Sequence, residues 1–210
     1  MNISIVNASP KSGENSTEQF ASGLAEILHP HEISHLRINH SHQKHGETYS
    51  FDDCDALVLC FPLYIDAVPS HFIPVLQEWE VLFKTMSGKK PKVYAIVNCG
   101  FFEEEHNHIV FEIVKNWCHR AELEWGMGLG IGAGGVFAAR PTDISQKRPK
   151  KNIGRKMRML ADAILCLDSG DTMYISPNFP KFLYILMGNY GWVHLAKKNG
   201  IKKNDIRMKP

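Results

Sequence analysis

Residue types that can bind or react with a ligand are concentrated in residues 7–17 (NASPKSGENST), which we call the first loop. It supplies hydroxyl groups, an amide and a cation at Ser9, Lys11, Asn15, Ser16 and Thr17. A helical pattern follows, and the free N–H groups at a helix N-terminus favour an anion. The spacing matches neither G-x-G-x-x-G nor G-x-x-x-x-G-K-[ST], so we predict a site for a terminal phosphate monoester. The alternative is an ordinary helix start, with Ser16 and Gln19 forming a capping box.

The second candidate segment is residues 61–70 (FPLYIDAVPS), the second loop, which is short, apolar and bracketed by prolines. Exposed connections are rarely this apolar unless a flat ligand covers them. The Tyr64 ring can stack on an aromatic ligand, and the peptide groups from Leu63 to Asp66 can reach its polar edge. A buried turn with Tyr64 in the core explains this loop equally well.

The third loop comprises residues 98–106 (NCGFFEEEH). Asn98 can donate and accept hydrogen bonds at a ligand edge, and Gly100 permits close backbone approach. Cys99 has no histidine–acid partner at a recognisable spacing, which favours a small buried thiol over a nucleophile. We therefore predict a binding loop and assign no catalytic residue.

The elements that flank these loops give them a common location. Strand-like runs alternate with helical patterns, and the predicted strands are 2–7, 32–38, 56–61, 92–97 and 125–133. This alternation predicts an α/β fold with a doubly wound five-stranded parallel sheet and helices on both faces. Ligands of such sheets bind beyond the carboxyl ends of the central strands, where all three loops begin. The glycines of 126–135 recur at a period of two, which indicates a strand and not a dinucleotide fingerprint.

Taken together, the three loops resemble those of the flavodoxin-like family of FMN proteins, in its NAD(P)H-dependent FMN or quinone reductase branch. The resemblance rests on NASPKSGENST, DALVLCFPLYIDAVPS and a strand ending NCGF, and it covers roughly residues 1–170. Ala8 stands where relatives usually carry glycine. Residues 39–53 contain no cysteine, which argues against the iron–sulfur cluster of some relatives.

The resemblance implies a cofactor and the residues that hold it. The FMN phosphate is expected to be held by Ser9, Lys11, Asn15, Ser16 and Thr17. Its isoalloxazine ring is expected to be lined by Pro62, Leu63, Tyr64 and Ile65. The other edge of the ring is expected to be flanked by Asn98, Cys99 and Gly100.

The activity implied is transfer of electrons from NADH or NADPH, through bound FMN, to a small acceptor such as a quinone, a free flavin, or a nitro- or azo-compound. The cofactor performs such chemistry, and the protein supplies position and solvent exclusion. One alternative is a non-enzymatic flavin carrier, a class that tends to be strongly acidic. Another is a binding module that kept the fold and takes no flavin.

The composition limits the kinds of partner and the cellular compartment that we expect for this protein. The 210 residues carry a net charge of +2, with −7 in residues 1–105 and +9 in residues 106–210. The total is too small for a dedicated nucleic-acid binder. Five cysteines without CxxC spacing favour a reducing compartment, the cytoplasm. Six histidines between positions 29 and 45 lack a metal-site spacing, so no metal is predicted.

Two segments have no single interpretation. Residues 147–158 hold seven cations and no acid, which fits a solvated helix start, a dock for the 2′-phosphate of NADPH, or a contact with an anionic lipid or protein. Residues 171–210 form an apolar C-terminal extension, too often interrupted to span a membrane. We expect this extension to pack on the 1–170 domain or on the partner subunit of a homodimer, or to cover the flavin. A helix lying on a membrane surface, backed by the lysines at 197–203, is the less favoured alternative.

Overall fold

The computed structural model describes residues 1–13, 15–39, 49–134, 151–201 and 205. The chain divides into two compact units, Met1–Pro177 and Asn178–Pro210. The cluster of His40, His42 and His45 and the cations preceding Lys151 lie outside the described residues.

A parallel β-sheet forms the centre of the first unit, with strands in the order β2-β1-β3-β4-β5-β6. The strands are β1 (Asn2–Asn7), β2 (Glu32–Arg37), β3 (Ala56–Pro62), β4 (Lys92–Asn98), β5 (Trp125–Ile131) and β6 (Met173–Ile175). The direction of strand addition reverses between β1 and β3, so the loops that follow these two strands leave in opposite directions. The predicted doubly wound α/β class is confirmed.

The predicted number of strands is wrong, because the sheet has six strands and not five. The sixth strand, β6, has three half-buried residues and pairs with β5 from Leu129↔Met173 to Ile131↔Ile175. A strand this short gives no period-two signal in the sequence.

Helices cover both faces of the sheet, and each follows from an apolar stripe at helical spacing. They are α1 (Ser16–Leu28), α2 (Phe72–Thr85), α3 (His108–Arg120) and α4 (Lys151–Cys166). Helices α2 and α3 pack with alternate residues of β3 such as Leu57 and Leu59, whereas α1 and α4 pack with Val58 and Cys60. The sheet is therefore buried on both faces, and only its edges and its loops can contact a ligand.

The glycines of β5 are required by close packing. A Cβ atom at Gly128 would lie 2.6 Å from Cε1 of Phe111, and one at Gly126 would lie 2.4 Å from Cε1 of Tyr94. These distances are shorter than real Cβ contacts. The interpretation of this segment as a strand is confirmed over Trp125–Ile131.

The second unit contains one helix, α5 (Lys181–Lys198), among its described residues. None of the residues of α5 is buried. Its exposed large apolar side chains are Phe182, Leu183, Ile185, Leu186, Met187, Tyr190, Trp192 and Leu195. Across the described part of the chain, no helix combines the length and the apolar character needed to cross a membrane.

Candidate functional site

Backbone hydrogen bonds hold the three loops side by side at the carboxyl edge of the sheet. The N–H group of Ala8 donates to the carbonyl oxygen of Cys60 at 2.8 Å, which joins the first loop to the end of β3. The N–H group of Leu63 donates to the carbonyl oxygen of Asn98 at 2.9 Å, which joins the second loop to the third. The predicted site residues therefore lie at adjacent strand ends.

In the first loop, the helix cap is Asn15 and not Ser16. The Asn15 Oδ1 atom accepts a hydrogen bond from the N–H group of Glu18 at 3.0 Å, and its Nδ2 atom donates to the carbonyl oxygen of Gly13 at 2.8 Å. The predicted capping box is wrong because Asn15 precedes Ser16 and caps a helix equally well. Asn15 therefore shapes the loop around the helix start.

The two hydroxyl groups of the first helical turn connect α1 to distant strand ends. The Ser16 hydroxyl donates to the carbonyl oxygen of Gly134 at 2.5 Å. The Thr17 hydroxyl donates to Oδ1 of Asn98 at 2.9 Å. Ser16 and Thr17 are both buried, as are Ser9 and Asn98. The start of α1 is thus tied to the loops that follow β4 and β5.

This cluster has the chemistry of an anion site. The first N–H groups of a helix have no partner within the helix, and the helix dipole adds partial positive charge there. Buried hydroxyl and amide groups surround this terminus, and the Lys11 ammonium group is on the exposed side of the loop. A phosphate group, which needs several donors and a positive potential, fits these residues.

The second loop forms a strained turn. Tyr64 and Ala67 exchange two backbone hydrogen bonds of 3.1 and 3.0 Å, and both residues between them have positive φ, 47° at Ile65 and 57° at Asp66. A β-branched residue rarely adopts positive φ. The turn nevertheless leaves 98% of Ile65 and 46% of Tyr64 exposed. Tyr64 is therefore outside the core, and the turn presents an apolar surface to solvent.

In the third loop, the Cys99 side chain is held inside the protein. Its Sγ atom accepts a hydrogen bond from Nδ2 of Asn107 at 3.5 Å and lies 3.6 Å from the carbonyl oxygens of Phe101 and Glu103. Burial raises the pKa of the Cys99 thiol above its ordinary value. This environment suits a packed thiol and disfavours a thiolate nucleophile.

Sequence reasoning missed Phe101 as a surface residue of this site. Phe101 is 55% exposed, and its ring lies 4.2 Å, centroid to centroid, from the ring of His106. The sequence signal for it was a pair of phenylalanines directly after Gly100. With Tyr64 and Ile65, Phe101 gives the second and third loops exposed apolar groups.

Sequence reasoning also missed Arg37, at the carboxyl end of the edge strand β2. Its Nη2 atom donates to the carbonyl oxygens of Lys11 and Gly13, each at 3.1 Å. Its Nη1 atom lies 3.9 Å from the carboxylate of Glu18, in the first turn of α1. A single arginine at the end of a weak strand gives no spacing signal, so only the fold brings it to the first loop.

Glu18 extends this set of contacts to the start of the loop. Its carboxylate accepts a hydrogen bond from Nδ2 of Asn7 at 2.5 Å, and Oδ1 of Asn7 accepts one from the N–H group of Ser9 at 2.9 Å. Arg37, Glu18, Asn7 and Ser9 therefore form a continuous polar network around the first loop.

Two depressions differ in their relation to the loops. One of about 250 Å³ lies between the second and third loops and is lined by Asp66, Glu103, Glu105, His106, His108 and Ile109. A larger one, about 380 Å³, is lined mainly by the amino ends of β1 and β2 and by residues 50–54. The ligand edge of a parallel sheet is the carboxyl edge, so the smaller depression belongs to the candidate site. Within the described ranges, no group of three or more histidine, cysteine or acidic side chains is placed to hold a metal ion.

Comparison with known proteins supports the fold. No protein-family model matches the sequence. No curated protein matches it.

Solved structures do match the chain, at low sequence identity. A flavodoxin from Streptococcus pneumoniae TIGR4 is 13% identical, with 80% of this chain and 99% of that chain covered and a TM-score of 0.52. A flavodoxin-like WrbA-like protein from Agrobacterium tumefaciens is 13% identical, with 79% and 98% covered and a TM-score of 0.52. An azoreductase from Bacillus anthracis str. Sterne is 11% identical, with 77% and 99% covered and a TM-score of 0.50. The chain thus has the flavodoxin-like fold, as its three loops led us to expect.

Proposed function

We propose that this protein binds FMN at the carboxyl edge of its sheet and is a flavin-dependent oxidoreductase. The observation that carries the proposal is that two different surfaces lie at the same edge of the sheet. A helix N-terminus surrounded by the buried polar side chains of Ser9, Asn15, Ser16 and Thr17 shares this edge with a turn that exposes Tyr64 and Ile65. FMN has a phosphate monoester at one end and a flat aromatic ring at the other, so its two ends match these two surfaces.

The first loop is proposed to hold the phosphate. Backbone N–H groups at the start of α1 and the hydroxyl groups of Ser16 and Thr17 are the proposed donors, and Lys11 adds positive charge. Ser9 and Asn15 are proposed to complete this site, and Asn15 also holds the loop in shape.

The second and third loops are proposed to enclose the ring. Pro62, Leu63, Tyr64 and Ile65 are proposed to line one side, and Asn98, Cys99 and Gly100 to flank the other edge. Cys99 has a buried thiol, so its part is to pack and to position the backbone of the loop. Covering the ring with apolar groups excludes water from it.

The proposed reaction takes electrons from NADH or NADPH and delivers them to a small acceptor, such as a quinone, a free flavin, or a nitro- or azo-compound. Bound FMN would supply the hydride-accepting chemistry. An azoreductase among the structural neighbours supports an enzyme of this class. We name no catalytic side chain, because the chain's own part is to bind, orient and exclude water.

The deciding experiment is a visible absorption spectrum of the purified protein, followed by anaerobic titration with NADPH and with NADH. We expect a two-banded flavin spectrum that bleaches with one or both nucleotides. Bound flavin that neither nucleotide reduces would favour an electron carrier, for which the flavodoxin neighbour gives a precedent in fold. A colourless protein that takes up no added FMN would contradict the proposal.

We further propose that the protein is a cytoplasmic homodimer. None of its five cysteines forms a disulfide. Helix α5 carries eight exposed large apolar side chains, more than a monomeric surface usually retains in water. Sedimentation velocity should give a dimer for the full chain and a monomer after Trp192→Ser with Leu186→Ser. A monomeric full chain would contradict this.

A further inference from the structure

The orientation of the peptide groups in the first loop depends on one side chain outside that loop. The Nη2 atom of Arg37 donates hydrogen bonds to the carbonyl oxygens of Lys11 and Gly13, each at 3.1 Å. A carbonyl oxygen and the next N–H group point in opposite directions across a planar trans peptide. Because the Lys11 carbonyl points to the guanidinium, the N–H group of Ser12 points away from it.

The same guanidinium acts on the charge of the site. Glu18 lies in the first turn of α1, where its carboxylate would repel an anion bound at the helix N-terminus. The Nη1 atom of Arg37 lies 3.9 Å from that carboxylate, and the two side chains are 36% and 37% exposed. Arg37 therefore offsets the charge of Glu18 as well as engaging two carbonyl oxygens that carry partial negative charge.

The placement of Arg37 also destabilises the folded protein at one of its atoms. Its Nε atom is buried and has no hydrogen-bond partner among the described residues. A buried donor without a partner disfavours the folded state. A planar guanidinium held there by two carbonyl oxygens suits a role in shaping the loop better than a role in general stability.

We propose that Arg37 is a positioning residue for the phosphate end of the cofactor, a proposal that rests on the proposed FMN site. It fixes the carbonyl oxygens of Lys11 and Gly13 at the end of β2. The first loop can then present N–H groups, and not carbonyl oxygens, to the phosphate. Arg37 acts through the loop and needs no contact with the flavin ring.

A comparison of FMN with riboflavin distinguishes a role at the phosphate from a general effect on flavin binding, because the two flavins differ only in the phosphate. Dissociation constants for both are measured by quenching of flavin fluorescence with the full-length protein. Arg37→Gln should weaken FMN binding by about tenfold or more and leave riboflavin binding within about twofold. Arg37→Lys should recover only part of the loss, because an ammonium group cannot hold both carbonyl oxygens in a fixed geometry.

Two controls separate positioning from charge. Arg120→Gln removes the same charge from an exposed arginine paired with Glu80 at 3.1 Å and should leave the binding of both flavins unchanged. The double variant Glu18→Gln with Arg37→Gln tests whether Arg37 acts only by offsetting Glu18. Full recovery of FMN affinity in that variant would overturn the positioning role, and so would equal weakening of FMN and riboflavin in Arg37→Gln.

A second readout does not depend on flavin. Lys11 is exposed, so endoproteinase Lys-C can cleave after it when the loop opens. Arg37→Gln should accelerate this cleavage several-fold relative to cleavage at other lysines, and Arg120→Gln should not. An unchanged rate at Lys11 would overturn the proposal. A wild-type protein that binds neither flavin would contradict the proposed cofactor, whereas the Lys-C rates would still decide whether Arg37 orders the loop.

Discussion

At the scale of single residues, the hydroxyl groups of Ser16 and Thr17 each have two competing acceptors, a protein oxygen and the proposed phosphate. Each already donates a hydrogen bond to a protein carbonyl or amide oxygen. A bound phosphate would accept the same hydrogens more strongly, because hydrogen bonds to charged groups are the stronger ones. Cofactor binding is therefore expected to redirect these hydroxyl groups from Gly134 and Asn98 to the ligand.

The paired substitution Ser16→Ala with Thr17→Ala tests their contribution. Loss of both donors should weaken FMN binding by about tenfold to a hundredfold, because a hydrogen bond to a charged group contributes about 1.5–3 kcal/mol before compensation by water and backbone. Riboflavin binding should change little. Fluorescence titration with both flavins measures the difference. Ser87→Ala, in an exposed loop after α2, is the matched control, and equal losses for both flavins would contradict a phosphate role.

At Ile65 the positive φ angle disfavours a β-branched residue, whereas the proposed contact with the flavin ring favours an apolar side chain. Asparagine tolerates positive φ far better than a β-branched residue does. Ile65→Asn should therefore raise the free energy of unfolding by about 1 kcal/mol, measured by urea denaturation of the flavin-free protein. The same change should weaken riboflavin binding by about tenfold, because the apolar surface over the ring is lost. A stabilised variant with unchanged flavin affinity would remove Ile65 from the site.

At the scale of the elements, β5 is built to admit large side chains. Gly128→Ala would place a methyl group 2.6 Å from the Phe111 ring and should reduce the free energy of unfolding by about 1–3 kcal/mol. Gly88→Ala is the control, since nothing lies within 4 Å of a Cβ atom there. Urea denaturation measures both, and Phe111→Leu added to Gly128→Ala should recover part of the loss. Equal stability of the two single variants would show that β5 tolerates the methyl group.

The longer strands could be predicted from the sequence, including the edge strand β2, whereas the three-residue strand β6 could not. Strands β3 and β4 are buried on both faces, so nearly every residue carries the signal. Strand β6 has three residues, which is below the length at which periodicity can be recognised. The three site loops could be located because they follow strong strands. Arg37 could not be assigned to the site, because its approach depends on the pairing of β2 with β1.

At the scale of the whole molecule, four buried thiols make stability depend on pH. Burial raises the pKa values of Cys54, Cys60, Cys99 and Cys118, to about 12 in the case of Cys118. The folded chain then keeps protons that the unfolded chain releases above about pH 9. Since the folded state binds more protons, the free energy of unfolding must fall as pH rises through this range.

Denaturant unfolding at pH 8 and at pH 10 measures this fall. The loss of stability between the two pH values should be smaller by about 1.4 kcal/mol in Cys118→Ala, which removes one raised thiol. Cys166→Ala should leave the loss unchanged, because that thiol is already exposed to solvent in the folded chain. A loss that is the same in both variants and the wild type would show that Cys118 does not stay protonated.

The hydrogen bonds at the start of α1 also decide when the site can exist during folding. Thr17 and Asn98 are 81 residues apart in the chain, and Ser16 and Gly134 are 118 residues apart. Contacts between such distant residues form late, because long loops must close first. Added FMN should therefore leave the refolding rate unchanged and slow unfolding, as stopped-flow fluorescence can measure. The ligand would therefore stabilise the molecule after it has folded and would not guide its folding.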